Sequence, residues 1–357
     1  AKLTKEDIVA FADKYLKEDN YAVVYKKQGK DPNEKKMTKP EITPIVSNRD
    51  VASPFLTSIQ ENAVKPIEPV FLDFKKDMSQ LTAKSDIPVL YKQNTTNDLF
   101  QLIYVFDMGN NNDKALGTAF DYLEYLGTSD MTPEELKSEF YRLACTFYVS
   151  PGNERTYVVL SGLNENMPAA IQLFEKLLAD AQVNKEAYDN LVGDILKARA
   201  DAKLNQGQNF SRLMNYAMYG PKSPATNLLT EAELASMNPQ ELVDRIHNQN
   251  NYKHRILYYG PSSSKDLLAT IDQYHQVPAT LKDIPAGNEF SYLETPATKV
   301  LVAPYEAKQI YMAQISNLDK KYDPAIEPTR ELYNEYFGGG MNSIVFQEMR
   351  ETRGLAY

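Results

Sequence analysis

Tyr336-Phe337-Gly338-Gly339-Gly340-Met341-Asn342-Ser343-Ile344-Val345-Phe346-Gln347-Glu348-Met349-Arg350-Glu351-Thr352-Arg353-Gly354-Leu355-Ala356-Tyr357 reads as a glycine run, a helix and the start of a strand. The three glycines admit backbone conformations closed to other residues. Asn342 or Ser343 then caps a helix over 343–352, with Val345, Phe346 and Met349 as its buried stripe. Gly354 ends that helix in a left-handed C-cap, with Arg353 favourable in the last turn. Arg350 and Tyr357 fall on either side of the helix-to-strand junction. A phosphate loop would need Lys followed by Ser or Thr after the glycines, and Met341-Asn342 does not supply it.

Upstream of this segment, Lys299–Ala303 and Ile310–Ile315 read as paired strands, followed by a helix over 325–336. Earlier strands are expected at Pro69–Phe74, Val89–Lys92, Phe100–Phe106, Arg155–Leu163 and Arg255–Tyr259. Phe100–Phe106 is the strongest, being rich in aromatic and β-branched residues. Helical patterning covers 113–126, 132–147, 167–181, 184–203, 209–219, 230–236, 238–249 and 263–274. Thr132, Pro133 and Glu135 supply a cap, a first-turn proline and a capping box. Strands followed mostly by helices argue for an α+β fold, with helices packed on one face of a mostly antiparallel sheet.

The amino-terminal part is different. Thr4 reads as the N-cap of a helix whose stripe is Ile8, Phe11, Ala12, Tyr15 and Leu16, and Tyr21–Tyr25 reads as a strand. Residues 26–66 are rich in Lys, Pro, Asn, Asp and Ser and read as a linker. The expected organisation is the end of a preceding α+β domain over 1–25, a linker over 26–66, a complete α+β domain over 67–287, and the start of a further, truncated α+β domain over 288–357. The two ends together read as a piece of a longer polypeptide.

Composition bounds the function. With 43% hydrophobic and 24% charged residues, the 357-residue chain has the make-up of a globular protein. A net charge of −9 argues against nucleic acid as a partner. No apolar run is long enough to span a bilayer, and residues 1–17 lack the apolar core of a signal peptide. The single cysteine, Cys145, excludes an internal disulfide, which leaves bacterial periplasm and cytoplasm both compatible. Cys145 continues the apolar stripe of Leu136, Phe140 and Leu143 and reads as a helix packing residue. His247, His254 and His275 lack metal-ligand spacing and read as surface or capping residues near element ends.

The segment from Gly338 to Tyr357 resembles a motif of the pitrilysin, insulin-degrading and mitochondrial-processing peptidase group of zinc metallopeptidases. The resemblance implies two related halves, each of two α+β domains, closing around a chamber. The first half carries the inverted zinc motif H-x-x-E-H. The second lacks zinc ligands but carries an Arg and a Tyr that reach the peptide near the metal, and Arg350 and Tyr357 match those two by position. Gly117–Thr128 is similar to a decayed zinc-motif helix, with Asp121 at the first His, Glu124 at the general base and Tyr125 at the second His. An intact motif places two His on one helical face as ligands of one ion. Asp121 alone cannot complete a three-ligand site, and the expected third-ligand region near Asp194 lacks a clear partner.

The resemblance therefore implies the substrate-binding, chamber-forming half of a zinc-dependent endopeptidase that acts on peptides or small unfolded proteins. Zinc is expected in an amino-terminal half absent from this sequence. The chain itself is expected to hold no cofactor and to be inactive alone, with the peptide substrate and the amino-terminal half as partners. A non-catalytic partner subunit or a peptide-binding scaffold of the same fold is the alternative.

Overall fold

The computed structural model describes residues 3–19, 21–27, 29, 38, 52–307, 309–317 and 322–355. The chain divides into two compact units, Ala1–Val70 and Phe71–Tyr357. In the first unit, α1 (Lys5–Tyr15) starts as expected: Thr4 Oγ1 accepts from the Asp7 N–H at 3.2 Å, and the Asp7 carboxylate accepts from the Thr4 N–H at 2.8 Å. The expected strand over Tyr21–Tyr25 is not formed, and its apolar side chains stand exposed. A helix inside the expected linker, α2 (Pro54–Gln60), starts with Ser53 as N-cap and Pro54 in the first turn. Those two residues were a legible helix start.

The second unit is built on six strands: β1 (Ser79–Ala83), β2 (Ile87–Gln93), β3 (Leu99–Phe106), β4 (Cys145–Pro151), β5 (Thr156–Leu163) and β6 (Arg255–Gly260). Their order is β1-β2-β6-β3-β5-β4. Every pairing is antiparallel except that of β2 with β6. Strand alternation decides the two faces. Phe100, Leu102, Tyr104 and Phe106 of β3 are buried, as are Ile87 and Val89 of β2 and Ile256 and Tyr258 of β6. The opposite face carries the exposed Tyr148, Tyr157 and Tyr259.

The helices follow in chain order: α3 (Leu116–Leu123), α4 (Pro133–Arg142), α5 (Met167–Asp180), α6 (Lys185–Lys203), α7 (Gln206–Tyr219), α8 (Glu231–Ser236), α9 (Gln240–Asn248), α10 (Ser264–Tyr274) and α11 (Glu327–Asn334). The core joins Phe120 and Leu123 of α3, Phe174 and Leu178 of α5, Leu242 and Ile246 of α9, and Leu267 and Ile271 of α10 to the buried strand residues. This is the α+β class expected, with a mostly antiparallel sheet.

Several local expectations are corrected. Pro69–Phe74 forms no strand; the first strand is Ser79–Ala83, whose mixed side chains gave no strong signal. The helix from Thr132 stops at Arg142 rather than near 147. Ala144 adopts a left-handed φ of 48°, which reverses the chain into β4. Cys145 is buried as expected but on a strand, not on a helix stripe. It faces Gly162, whose φ of 151° and close approach leave no room for a side chain: a Cβ there would lie 2.4 Å from the Ala144 carbonyl.

Lys299–Ala303 and Ile310–Ile315 form no strands among the described residues. Just outside these two stretches, the Asn317 N–H donates to Thr295 Oγ1 at 2.8 Å and the Thr295 N–H donates to the Asn317 carbonyl at 3.3 Å. A two-stranded ribbon without a sheet to join gains little from pairing. The last helical stretch is wound in wide π-type turns over Phe346–Thr352. Ser343 Oγ accepts from the Phe346 N–H at 3.3 Å, and Gly354 closes the stretch in the left-handed region, at φ 58°. The expected stripe is not buried: Val345 and Met349 are exposed.

Candidate functional site

Two places follow from the sequence: the helix with the decayed motif and the carboxyl-terminal segment. On α3, Leu116, Ala119, Phe120 and Leu123 anchor the helix in the core, which turns Asp121 outward. The helix ends at Leu123, so Glu124 and Tyr125 lie just beyond it, both exposed. Glu124 keeps a helical backbone and the Tyr125 N–H donates to the Tyr122 carbonyl at 3.0 Å, so past Leu123 the helix tightens into an i to i+3 turn. Surrounding protein, and secondarily the charge of Glu124, raises the Asp121 carboxyl above the ordinary range. A cavity of about 400 Å³ opens beside Glu124, lined by Phe120, Leu136, Phe140 and Phe147 among others.

The donor set does not fit a zinc ion. A catalytic zinc needs three protein ligands, and an Asp, a Glu and a Tyr at a frayed helix end do not provide the His pair of the intact motif. Asp194 on α6 is exposed. Among the described residues no group of three or more His, Cys, Asp or Glu side chains is placed to hold a metal ion.

In the carboxyl-terminal segment the Arg350 guanidinium lies over the Phe346 ring, 4.7 Å from its centroid, one helical turn back. Its Nε is 3.8 Å from a carboxylate oxygen of Glu351. Tyr357 lies outside the described residues.

A third cluster was invisible in the sequence. Glu175 of α5, His275 at the end of α10 and His254 ahead of β6 are all buried and joined by hydrogen bonds. The surface reading of His254 and His275 is thereby corrected, whereas the capping reading holds for His275, the C-cap of α10, whose N–H donates to the Ile271 carbonyl. His254 Nδ1 lies 2.8 Å from the Tyr252 carbonyl, which only accepts, so Nδ1 carries a hydrogen. Nε2 of His254 then accepts from Nε2–H of His275 at 2.9 Å. Nδ1 of His275 meets Glu175 Oε1 at 2.6 Å.

The other oxygen of Glu175 accepts from Asn250 Nδ2 at 2.8 Å and from the Gln276 N–H at 3.2 Å. Tyr104 lays its ring 4.3 Å from that of His275. Burial, then the charge of Glu175, raises the Tyr104 phenol well above its usual range. Burial, then the charge of His275, pushes His254 down to about 4. No local spacing announces this cluster, because Glu175 and His275 are 100 residues apart.

No protein-family model matches the chain. In sequence it is similar to an uncharacterized zinc protease of Rickettsia felis, 22% identical over 262 residues, covering 70% of this chain and 60% of the relative. The chain spans little more than half the length of the curated relatives it matches. Solved structures share its fold, among them the following two. The peptidase M16 inactive domain from Pseudomonas fluorescens superposes with a TM-score of 0.57 at 19% identity, covering 78% of this chain and 69% of that one. The periplasmic protease PqqL from Escherichia coli superposes with a TM-score of 0.55 at 15% identity, covering 83% of this chain and 31% of that one.

Proposed function

We propose that this chain, which has the α+β fold of M16, or pitrilysin-like, peptidase domains and zinc-protease relatives, is the substrate-binding, chamber-forming half of a zinc-dependent endopeptidase. The parent would act on peptides or small unfolded proteins. One observation carries the assignment to the non-zinc half: the motif positions on α3 hold Asp121, Glu124 and Tyr125, with the helix ending before the last two. An amino-terminal half of the same polypeptide would hold the zinc, which supplies an activated water when bound. Residues 1–25 would then close a preceding domain, 26–66 would link the halves, 67–287 would form a complete domain, and 288–357 would open the next.

Arg350 and Tyr357 are the proposed contacts to substrate. Peptide hydrolysis builds negative charge on the scissile carbonyl oxygen, where a phenol O–H stabilises it and a guanidinium holds the peptide backbone. The position of Arg350 on the last described helical stretch, with its guanidinium laid over the Phe346 ring, supports a preset side chain.

The test is zinc content and peptide cleavage of the full-length parent, with and without a chelator. One zinc per chain and chelator-sensitive cleavage are expected. No zinc and no cleavage would instead favour a non-catalytic partner subunit or peptide-binding scaffold, a reading to which the inactive M16 domain of matching fold lends weight. In an active parent, Tyr357→Phe is expected to lower turnover more than substrate affinity. Unchanged turnover in folded protein would remove that role.

A further inference from the structure

Among the described residues, β4 ends the sheet and pairs only with β5. Two flanking bonds fix which of its backbone groups are used. The Leu163 N–H donates to the Ala144 carbonyl at 3.3 Å, and the Gly152 N–H donates to the Arg155 carbonyl at 2.7 Å. In an antiparallel pair, residues that bond the partner strand alternate with residues whose N–H and C=O point away. Counting in twos between those bonds, Thr146, Tyr148 and Ser150 bond β5. Cys145, Phe147 and Val149 therefore turn their N–H and C=O to the far edge, where no strand pairs with them among the described residues.

The same three residues send their side chains to the helix-covered face. Cys145 is buried and Phe147 and Val149 are half-buried, while Thr146, Tyr148 and Ser150 are exposed. All three inward side chains line the cavity of about 400 Å³, opposite Phe120 of α3 and Leu136 and Phe140 of α4. A row of unpaired backbone groups and an apolar cavity thus belong to the same three residues. The charged residues of the lining, Glu124 and Lys137, are of opposite sign, so no net charge there competes with its apolar character.

This pairing of features selects one class of ligand. A strand laid against β4 would bond the free groups of Cys145, Phe147 and Val149. Strand alternation would then direct the side chains facing those residues toward the cavity. We propose that the open edge of β4 and the cavity beside α3 and α4 form a peptide-binding site for an extended segment carrying a bulky apolar side chain. The proposal deepens the peptide-holding reading above and rests on it for the class of ligand. Its geometry is independent of Arg350, Tyr357 and zinc.

The test uses the full chain and a short fluorescein-labelled peptide of alternating leucine and threonine. Amide hydrogen exchange over residues 145–151, read at the Cys145, Phe147 and Val149 amides, is expected to slow about tenfold at saturating peptide. Val149→Pro removes one outward N–H and leaves the bonds to β5 intact, a placement in which an edge strand tolerates proline. It is expected to weaken peptide binding, read by fluorescence anisotropy, about tenfold while circular dichroism stays unchanged.

If Val149→Pro unfolds the chain, exchange in the unsubstituted chain still decides. Protection absent from these amides, or confined to other elements, overturns the proposal. Protection that rises with protein concentration without peptide also overturns it, because a second copy then occupies the edge. Neither result touches the zinc and cleavage test of the parent. Loss of cleavage there, with β4 still protected by peptide, would remove the peptidase reading and leave this site standing.

Discussion

His254 and His275 meet Nε2 to Nε2 at 2.9 Å, and His275 turns its other nitrogen to Glu175 at 2.6 Å. The direction of the protons follows from the ends of this row. At one end the Tyr252 carbonyl takes the Nδ1 hydrogen of His254. At the other, Glu175 and His275 share one proton between them, and Asn250 and Gln276 donate to the free carboxylate oxygen. The row ties α5 and α10 to the start of β6.

The depressed His254 sets a pH dependence. Its folded value of about 4 lies below the ordinary 6.5, so the unfolded chain binds the extra proton first. Stability from this group is fully present above pH 6.5 and falls as pH drops toward 4. At 1.36 kcal/mol per unit the loss is about 3 kcal/mol. Urea unfolding between these pH values should show it, and His254→Gln should flatten the slope.

Removing the carboxylate separates two substitutions. Glu175→Ala leaves His275 Nδ1, Asn250 Nδ2 and the Gln276 N–H without their partner and should cost about 3–5 kcal/mol in urea unfolding. Glu175→Gln can keep the geometry, since its amide donates to His275 Nδ1 while its oxygen accepts from Asn250 and Gln276. That variant should cost less than about 1.5 kcal/mol. Equal losses would show that charge, and not hydrogen bonding, holds the cluster.

The motif positions on α3 should not retain zinc. After dialysis against zinc and then metal-free buffer, the chain should carry less than one ion per molecule by elemental analysis. Stoichiometric retention would contradict the poor fit of Asp121, Glu124 and Tyr125 as a ligand set.

The capping box of α4 offers a local stability test. Thr132 Oγ1 accepts from the Glu135 N–H at 3.2 Å, and Glu135 accepts from the Thr132 N–H at 2.8 Å. Thr132→Ala should cost about 1 kcal/mol, read as a lower thermal midpoint.

Legibility in the sequence followed the range of the forces involved. β3 was clear because its aromatic and β-branched residues mark a strand locally. The capped starts of α1 and α4 were clear because a cap is made within four residues. The end of α4 was misread because Leu136, Phe140 and Leu143 continue numerically into Cys145, whereas the reversal depends on the backbone at Ala144. β1 was missed because its identity comes from pairing with β2 rather than from its own side chains. The open backbone groups of β4 and the Glu175–His275–His254 row depend on tertiary register, which local spacing does not encode.

β2 and β3 are successive along the chain, yet β6 lies between them in the sheet. Until β6 is in place, the sheet exists only as β1 with β2 and as β3 with β5 and β4. Such distant pairing must close a long loop before any contact rewards it, which slows folding. During synthesis, the facing edges of β2 and β3 stay open until residue 260 has left the ribosome, exposed to wrong partners in the interval. A chain interrupted before β6 would not be a smaller version of this domain but two half-sheets, each with a sticky edge.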